Sequence, residues 1–279
     1  MSERRVALVT GASRGIGKAA ALGLAEAGFD VALTARTVKE GEGRADVNSV
    51  RGERDAIVVP GSLETTAREI EALGAKALAI PMDLLDADAV VAAPAAVLAE
   101  WGRIDVLFNN AIFQGGGTMD RVLDLTPASM TRLCIGNYVH QVLLIQQVVP
   151  HMRERGSGRI INMVSGSARL DPTAPAGDGG WGIGYSATKA AFARVAGGLN
   201  AEFGPELLAF NVDPGNVITE KRKAMSKKDE FEDAYGAQSA DETALAVAWL
   251  ATNDDAASLL GKWIYAPKLT KELGLANPG

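Results

Sequence analysis

The amino-acid sequence predicts an α/β fold in which one doubly wound sheet of about seven parallel strands carries helices on both faces. Short apolar runs alternate with longer helical patterns almost throughout the 279 residues, which is typical of such a sheet. The apolar runs are continuous rather than alternating, as expected of strands that are covered on both sides. The sequence contains no internal repeat and no Ser/Gly-rich linker, so we expect a single domain over residues 1–279.

The strands and helices follow one another in a regular order. The predicted strands are Arg5–Thr10, Val31–Ala35, Ala77–Ile80, Val106–Asn109, Arg159–Val164, Leu207–Val212 and Trp263–Ala266. The predicted helices, which fill the intervals, are Gly17–Ala27, Leu63–Leu73, Ala87–Trp101, Met130–Arg155, Tyr185–Phe203 and Asp241–Thr252. This alternation predicts the parallel sheet.

Three segments interrupt the alternation. Residues 37–61 are polar and too long for an ordinary strand-to-helix turn, and residues 166–184 carry several Gly and Pro residues. We expect both segments to be enlargements of the fold. Residues 220–236 are crowded with charge, and a charge run is usually a solvated face. Because this run follows a predicted strand end, where open parallel sheets bind ligands, a mobile substrate lid is the competing interpretation.

Composition excludes several classes of function. The net charge of −6 and the pI near 5.1 argue against nucleic-acid binding, which requires a basic face. No apolar run is long enough to cross a bilayer, and we expect no membrane partner and a cytoplasmic location. The only cysteine, Cys134, is interpreted as a small core residue. The two histidines, His140 and His151, have no carboxylate at ligand spacing, so no metal site is predicted.

A glycine-rich turn follows the first predicted strand and precedes the first predicted helix. In Thr10-Gly11-Ala12-Ser13-Arg14-Gly15-Ile16-Gly17 the glycines allow a sharp bend and let a pyrophosphate approach the backbone N–H groups. The helix that follows contributes unsatisfied donors and a partial positive charge at its N-terminus. This arrangement predicts dinucleotide binding by a Rossmann-type domain.

A tyrosine and a lysine stand four positions apart in a later helical pattern. Tyr185 and Lys189 therefore lie on one face of the helix, one turn apart. A cation beside a phenol favours the phenolate, and we expect Lys189 to lower the pKa of Tyr185 into the range of general acid–base chemistry. Taken alone, such a pair also occurs on solvated helices without function.

Together these motifs resemble the short-chain dehydrogenase/reductase family, over nearly the whole chain from about Arg5 to about Ala266. The resemblance rests on the Gly-x-x-x-Gly-x-Gly spacing, on Tyr185-x-x-x-Lys189, and on further motifs that occur in the order of the family. It implies a dinucleotide site formed by Gly11, Ser13, Arg14, Gly15, Ile16, Gly17, Arg36, Asp83, Leu84, Asn109, Ala111, Tyr185, Lys189, Pro214, Gly215, Val217 and Thr219.

The resemblance also implies the catalytic roles. Tyr185 would donate a proton to a carbonyl oxygen as hydride reaches the carbon, and Lys189 would bind the nicotinamide ribose and keep the pKa of the tyrosine low. Ser165 would orient the substrate oxygen. Asn137 would hold a water that connects Lys189 to solvent.

The second predicted strand ends without the carboxylate that enzymes choosing NAD usually place there. It ends in Ala35-Arg36-Thr37, with no carboxylate until Glu40, and Arg14 lies in the glycine turn. Two guanidinium groups near the adenosine ribose would bind a 2′-phosphate. We therefore predict NADP as cofactor, with NAD as the alternative; the competing interpretation is that both arginines merely decorate the surface.

The substrate is less readable than the cofactor. We expect a small-molecule carbonyl or alcohol that is partly apolar, because the segments around the site contain residues such as Phe113 and Trp181. Family members commonly have Gly where this chain has Ile112, which leaves the shape of the nicotinamide pocket open. The resemblance implies a homo-oligomer. The alternative function is a nucleotide-binding protein of the same fold that senses redox state or regulates a partner without turnover.

Overall fold

A computed structural model describes residues 4–45, 57–225 and 238–275. The principal sheet has seven parallel strands in the order β5-β2-β1-β6-β7-β8-β9, which confirms the predicted fold class. Two further strands, β3 and β4, form an antiparallel pair of two residues each within the enlarged segment. The strands are β1 Arg5–Thr10, β2 Phe29–Ala35, β3 Arg44–Ala45, β4 Ile57–Val58, β5 Ala77–Pro81, β6 Val106–Asn109, β7 Gly158–Met163, β8 Leu207–Asp213 and β9 Trp263–Tyr265.

Helices connect the strands of the sheet. They are α1 Gly15–Glu26, α2 Leu63–Ala72, α3 Ala87–Trp101, α4 Pro127–Cys134, α5 His140–Glu154, α6 Ile183–Phe203, α7 Glu220–Met225, α8 Ala240–Thr252 and α9 Ala266–Glu272. Side chains cap several N-termini: Ser62 accepts a hydrogen bond from Thr65 N, and Asp86 accepts from Asp88 N and Ala89 N. These caps satisfy backbone donors that a helix start leaves unpaired.

The predicted helix Met130–Arg155 is divided in the structure. A π-helical turn, Ile135–Val139, joins α4 to α5 and contains Asn137. The turn changes the phase of the helix by one residue, and such insertions are frequent at functional sites. The predicted helix was continuous over residues 130–155 and did not include this turn.

Two hydrophobic clusters lie on opposite faces of the sheet. In β1, Ala7 and Val9 belong to the cluster beneath α1 and α8, whereas Val6 and Leu8 belong to the cluster beneath α3, α5 and α6. All four residues are fully buried. Successive side chains of a strand point to opposite faces, so a continuous apolar run is what a doubly covered strand requires. The observed burial explains the sequence pattern.

The prediction that Cys134 is a core residue is wrong. Cys134 ends α4 and is exposed, whereas its neighbour Leu133 is fully buried. Adjacent helical residues point in directions about 100° apart, so only one of the two can face the core.

Parts of the interrupting segments lie outside the described residues, namely 46–56 of the first and 226–237 at the charged run. The charged run begins with helix α7. In the described part of the chain, no helix is long and apolar enough to cross a membrane. Nor do the described residues contain a cluster of three His, Cys, Asp or Glu side chains that could hold a metal ion.

Candidate active site

The glycine-rich turn lies at the carboxyl end of β1, where the order of the sheet reverses between β2 and β6. Gly11 and Gly15 have φ angles of +69° and +56°, a region that side chains other than glycine rarely enter. At Gly17 an added Cβ would collide with Gly11 O and lie 2.5 Å from Asn110 Nδ2. The chain therefore needs glycine at all three positions to make this turn.

The hydroxyl of Thr10 fixes the turn to the end of β6. Thr10 Oγ1 accepts hydrogen bonds from Asn110 N (3.0 Å) and Ala111 N (2.9 Å), and Asn110 Nδ2 donates to Thr10 O at 2.9 Å. Asn110 therefore holds the turn against the end of β6, although it is not among the predicted site residues. Asn109 instead is buried and donates to Asn162 Oδ1 at 3.0 Å, away from the cavity beside the turn.

A cavity of about 320 Å³, the glycine-turn cleft, opens between this turn and α6. Most predicted dinucleotide residues line it, while Asn109, Gly215 and Val217 do not. Lining residues from the predicted set are Gly11, Ser13, Arg14, Gly15, Ile16, Gly17, Arg36, Asp83, Leu84, Ala111, Tyr185, Lys189, Pro214 and Thr219. Lining residues that the sequence analysis did not assign to the site are Thr34, Ala35, Thr37, Met82, Asn110, Ile112, Phe113, Gln114, Met163, Val164 and Lys221. Most of them stand next to a motif residue, which is the signal that could have found them.

Two arginines lie at the end of the cleft near β2. Arg14 Nη2 donates to Gly61 O at 2.7 Å and to Thr37 Oγ1 at 3.1 Å. Burial lowers the pKa of Arg14; the charges of Glu220 and Glu40 raise it, and Arg36 lowers it. Arg36 itself is exposed and lines the cleft.

Glu40, the first carboxylate after β2, points away from the cleft. Its oxygens accept from Gly61 N at 2.7 Å and from Thr65 Oγ1 at 3.2 Å. The hydrogen bond from Gly61 N is the main cause that lowers the pKa of this exposed group. Glu40 therefore serves the loop before α2.

Helix α7 reaches across the mouth of the cleft. Glu220 Oε2 accepts a hydrogen bond from Gly15 N at 2.9 Å, and Lys221 Nζ donates to Gln114 Oε1 at 2.8 Å. A carboxylate thus lies on a backbone donor of the turn that is expected to bind phosphate. A substrate lid was one of the two interpretations of this charged run, and neither interpretation included a partner for these two side chains.

Tyr185 lies in the first turn of α6, where it lines the cleft. Its ring stacks on Trp181, with centroids 5.4 Å apart, and its side chain is hydrogen-bonded to Ser165. Burial raises the pKa of Tyr185, the bond to Ser165 lowers it, and the charge of Asp213 raises it. The net direction is upward, so the expected lowering by Lys189 is contradicted. Desolvation of the phenolate outweighs the stabilising contact.

The ammonium group of Lys189 points to the end of β7. Lys189 Nζ donates to Met163 O at 2.6 Å, and the residue is only 5% exposed. Burial lowers its pKa to about 8, although the charge of Asp213 opposes this shift. The group is therefore an ammonium at neutral pH that loses its proton near pH 8, well below an exposed lysine.

Asn137 and Ser165 are held by neighbouring loops. Asn137 Oδ1 accepts from Phe113 N at 2.7 Å, and its Nδ2 donates to Phe113 O at 3.1 Å, so the amide fixes the loop after β6. Ser165 Oγ accepts from Ser167 N at 3.3 Å and Ser167 Oγ at 3.1 Å. The water-holding role of Asn137 stays a prediction.

A second cavity, of about 300 Å³, opens on the other side of Ser165. We call it the Asp213 cavity; its wall includes Ser165, Asp171, Trp181, Asp213 and Tyr265. The Ser165–Tyr185 hydrogen bond connects this cavity to the glycine-turn cleft. A protonated phenol between two cavities can give a proton to a molecule held in one while a second molecule occupies the other.

Comparison with known proteins gives three results. The family model described as short chain dehydrogenase matches residues 5–61 and 56–230. Gluconate 5-dehydrogenase of Gluconobacter oxydans is 31% identical over 81% of this chain and 77% of that protein. Several other curated relatives are longer, and the chain spans about half of their length.

Solved structures agree with the fold. A short chain dehydrogenase from Burkholderia cenocepacia in complex with NADP has a TM-score of 0.73 and 29% identity, over 94% of this chain and 95% of that one. A 3-oxoacyl-[acyl-carrier protein] reductase from Brucella melitensis in complex with NAD has a TM-score of 0.71 and 26% identity, over 97% and 99% of the two chains. Similar structures thus hold either nucleotide.

Proposed function

The chain belongs to the short-chain dehydrogenase family, and from that premise we propose that it is an NADP(H)-dependent oxidoreductase that interconverts a carbonyl and a secondary alcohol. One observation carries the proposal. Tyr185 lines the glycine-turn cleft and is hydrogen-bonded to Ser165, which lines the Asp213 cavity. A proton donor thus stands between a site suited to a dinucleotide and a site suited to a substrate.

The residues of the cleft fit a dinucleotide. The turn leaves no space for side chains at Gly11 and Gly17, and it leads into the N-terminus of α1, where unsatisfied backbone donors favour a phosphate. The predicted cofactor residues that line the cleft would hold the nucleotide, and Lys189 would contact its nicotinamide ribose. When bound, the reduced nucleotide supplies the hydride that reaches the carbonyl carbon.

Side chains of the protein would supply the proton and orient the carbonyl oxygen that receives it. Because burial raises the pKa of Tyr185, the phenol stays protonated at neutral pH and is suited to give its proton to the carbonyl oxygen. Ser165 would orient that oxygen and donate a hydrogen bond to the charge that develops there. In the oxidative direction Tyr185 would first have to lose its proton, and the phenolate would then take the proton of the alcohol.

The preference for NADP is supported by charge. Arg14 and Arg36 interact electrostatically at the end of the cleft near β2, and the first carboxylate after β2, Glu40, is bonded to Gly61 and Thr65. Two neighbouring guanidinium groups favour a phosphate over a bare hydroxyl. NAD(H) stays the alternative cofactor.

The test is a turnover assay with both nucleotides on a panel of ketones, quinones, ketosteroids and β-ketoacyl thioesters. Tyr185→Phe should keep NADPH binding and lose turnover by about 10²–10⁴-fold, as expected when a general acid is removed. Tyr138→Phe, which changes an exposed tyrosine outside both cavities, is the matched control. Retained turnover in Tyr185→Phe would refute the role of this phenol.

The cofactor is tested by titration of NADPH and NADH. Arg36→Ala should weaken the binding of NADPH about 10–100-fold and leave the binding of NADH nearly unchanged. The reason is that Arg36 would donate its charge-assisted hydrogen bond to the 2′-phosphate, which NADH lacks. Tighter binding of NADH by the native protein would contradict the proposal. NADPH binding without turnover on any substrate would favour the alternative, a nucleotide-binding regulatory or redox-sensing protein.

Two further expectations stay predictions. A homo-oligomer is testable by sedimentation velocity on the purified chain. A cytoplasmic location is testable by fractionation of the source cells.

A further inference from the structure

Asp213 is a buried carboxylate at the wall of the Asp213 cavity. It ends β8, is 7% exposed, and lines the cavity together with Ser165. A Cβ added to Gly166, the residue after Ser165, would lie 3.3 Å from Asp213 Oδ2. The carboxylate therefore lies next to the loop that carries the hydroxyl expected to orient a substrate.

The partners of this carboxylate are uncharged. Asp213 Oδ1 accepts from Gly215 N at 3.1 Å, and Oδ2 accepts from Trp263 Nε1 at 3.1 Å. Each carboxylate oxygen can accept a second hydrogen bond. An ionised group with only neutral partners gains further stabilisation from any donor that a ligand brings into the cavity.

The charged and titratable groups around Asp213 come from several elements. Tyr185 and Lys189 belong to α6, Tyr265 to β9, and the charge of Asp213 raises the pKa of all three. The Lys189 ammonium donates to Met163 O and lies on the wall of the other cavity. It offsets the charge of Asp213 in part but does not line the Asp213 cavity.

The wall of the Asp213 cavity is acidic. Asp171 lines it as well, and no lysine or arginine among the described residues does. Arg169 lies over the ring of Trp263, 4.9 Å from its centroid, and lines a neighbouring cavity instead. The aromatic side chains Trp181 and Tyr265 complete the wall. The cavity thus offers acceptors and apolar surface and opposes a negative charge.

From this arrangement, and resting on the proposed function, we propose that Asp213 determines substrate specificity: it selects carbonyl compounds with a hydroxyl group beside the reacting carbon and disfavours those with a carboxylate there. The hydroxyl would donate to a free acceptor site of Asp213 while Ser165 and Tyr185 hold the carbonyl oxygen. A carboxylate at the same place would face a buried like charge, which is a strong means of rejection.

The experiment compares three ketones of equal chain length: 1-hydroxy-2-butanone, 2-butanone and 2-oxobutanoate. With the native protein and NADPH we expect kcat/KM to fall in that order, by about tenfold or more at each step. Asp213→Asn, which keeps an acceptor but removes the charge, should reduce the advantage of the hydroxyketone over butanone and raise kcat/KM for oxobutanoate about tenfold relative to butanone. Asp213→Glu, which keeps the charge, should keep the order.

Trp263→Phe distinguishes a structural role of Asp213 from a role in substrate specificity, because it removes one hydrogen bond to Asp213 but leaves its charge. This variant should change kcat/KM for all three ketones by a similar factor. If Asp213→Asn also changes all three equally, or if native protein prefers oxobutanoate, the proposed specificity is overturned.

Binding separates this inference from the proposed function. Quenching of tryptophan fluorescence, to which Trp181 at the cavity contributes, is measured for the three ketones in Tyr185→Phe loaded with NADPH, with and without Asp213→Asn. The same order of affinities, with smaller differences on Asp213→Asn, would support the specificity even if native protein reduced none of the ketones. Absence of binding by all three at millimolar concentration would overturn it.

Discussion

The glycine-turn cleft and the Asp213 cavity share one edge of the same sheet but are built from opposite chemistry. The cleft is lined by the turns after the first strands and by basic side chains such as Arg14, Arg36 and Lys221, together with the acidic Asp83. The cavity is formed by the long connection after β7 and the ends of β8 and β9, with carboxylates and aromatic rings. The fold fixes where ligands bind, and the connecting segments fix which chemistry meets them.

The two regions also differ in how tightly the chain itself holds them. At the cleft, steric limits at single glycines and the Thr10–Asn110 hydrogen bonds leave few alternative backbones. At the cavity, the connection contains a short 3₁₀ turn at Gly166–Ala168 and an isolated bridge between Ala176 and Gly180. We therefore expect local changes to abolish function in the cleft and to retune it in the cavity.

Gly17→Ala should have the largest effect, because it tests the steric limit in the turn that forms the cleft. The new Cβ would collide with Gly11 O, so the turn must open. We expect a loss of about 3 kcal/mol in the free energy of unfolding, near the upper end for overpacking, and loss of NADPH binding. Urea denaturation measures the free energy of unfolding, and fluorescence titration measures NADPH binding.

The control is Gly23→Ala in the same helix. A Cβ there would meet Ala244 Cβ at 3.6 Å, an ordinary contact, and alanine favours helix by about 1 kcal/mol relative to glycine. Gly23→Ala should leave stability unchanged or raise it. Equal destabilisation by both substitutions would mean that the tightness of the turn is not what makes Gly17 necessary.

Lys189→Met tests the charge at the junction of the two regions through the pH dependence of stability. The pKa of Lys189 is lowered to about 8 in the folded protein, against about 10.4 in an unfolded chain. Between these values the unfolded state binds more protons, so the free energy of unfolding rises with pH. We expect a rise of about 2 kcal/mol from pH 8 to pH 10 that Lys189→Met lacks.

Below pH 8 the lysine is protonated in both states, so its contribution does not change with pH there. Above about pH 10, the raised pKa of Tyr185 reverses the slope, because the folded state then binds the extra proton. Denaturation curves of both proteins at several pH values provide the measurement. A native curve parallel to that of Lys189→Met across pH 8–10 would show that Lys189 is not desolvated.

Glu220→Gln should have the smallest effect, because it changes only the charge beside the glycine-rich turn. The carboxylate accepts the hydrogen bond of Gly15 N and places a negative charge beside a cleft that Arg14, Arg36 and Lys221 line. Glutamine keeps an acceptor but removes the charge that opposes phosphate, so NADPH should bind a few-fold more tightly, equivalent to about 1 kcal/mol. Calorimetric titration measures it, with Glu64→Gln on α2, a carboxylate outside both cavities, as control. Weaker binding than in the native protein would mean that Glu220 assists the nucleotide.

The architecture was predicted almost completely from the sequence. Each of the seven predicted strands begins and ends within two residues of a strand in the sheet. Buried apolar runs and glycine turns depend on residues that are neighbours in the chain, so they can be recognised in a single sequence. The tyrosine–lysine pair and the glycine turn were found for the same reason, and both line the glycine-turn cleft.

What was missed depends on contacts between distant parts of the chain. The π turn at Asn137 accompanies hydrogen bonds to Phe113, 24 residues away. The carboxylate on the glycine turn belongs to Glu220, 205 residues from Gly15. Such pairings leave no periodic trace in the sequence.

The sequence by itself determined the fold and the family and supplied the proposed catalytic side chains, because spacing along helices and strands is a local property. The tertiary structure alone decided the electrostatic state of those side chains. Burial raises the pKa of Tyr185, whereas its neighbour in sequence, Lys189, predicted a lowering. The charge of Asp213, at the end of β8, raises the pKa of both Tyr185 and Lys189. Desolvation and charge act through space, so their balance exists only once the chain is folded.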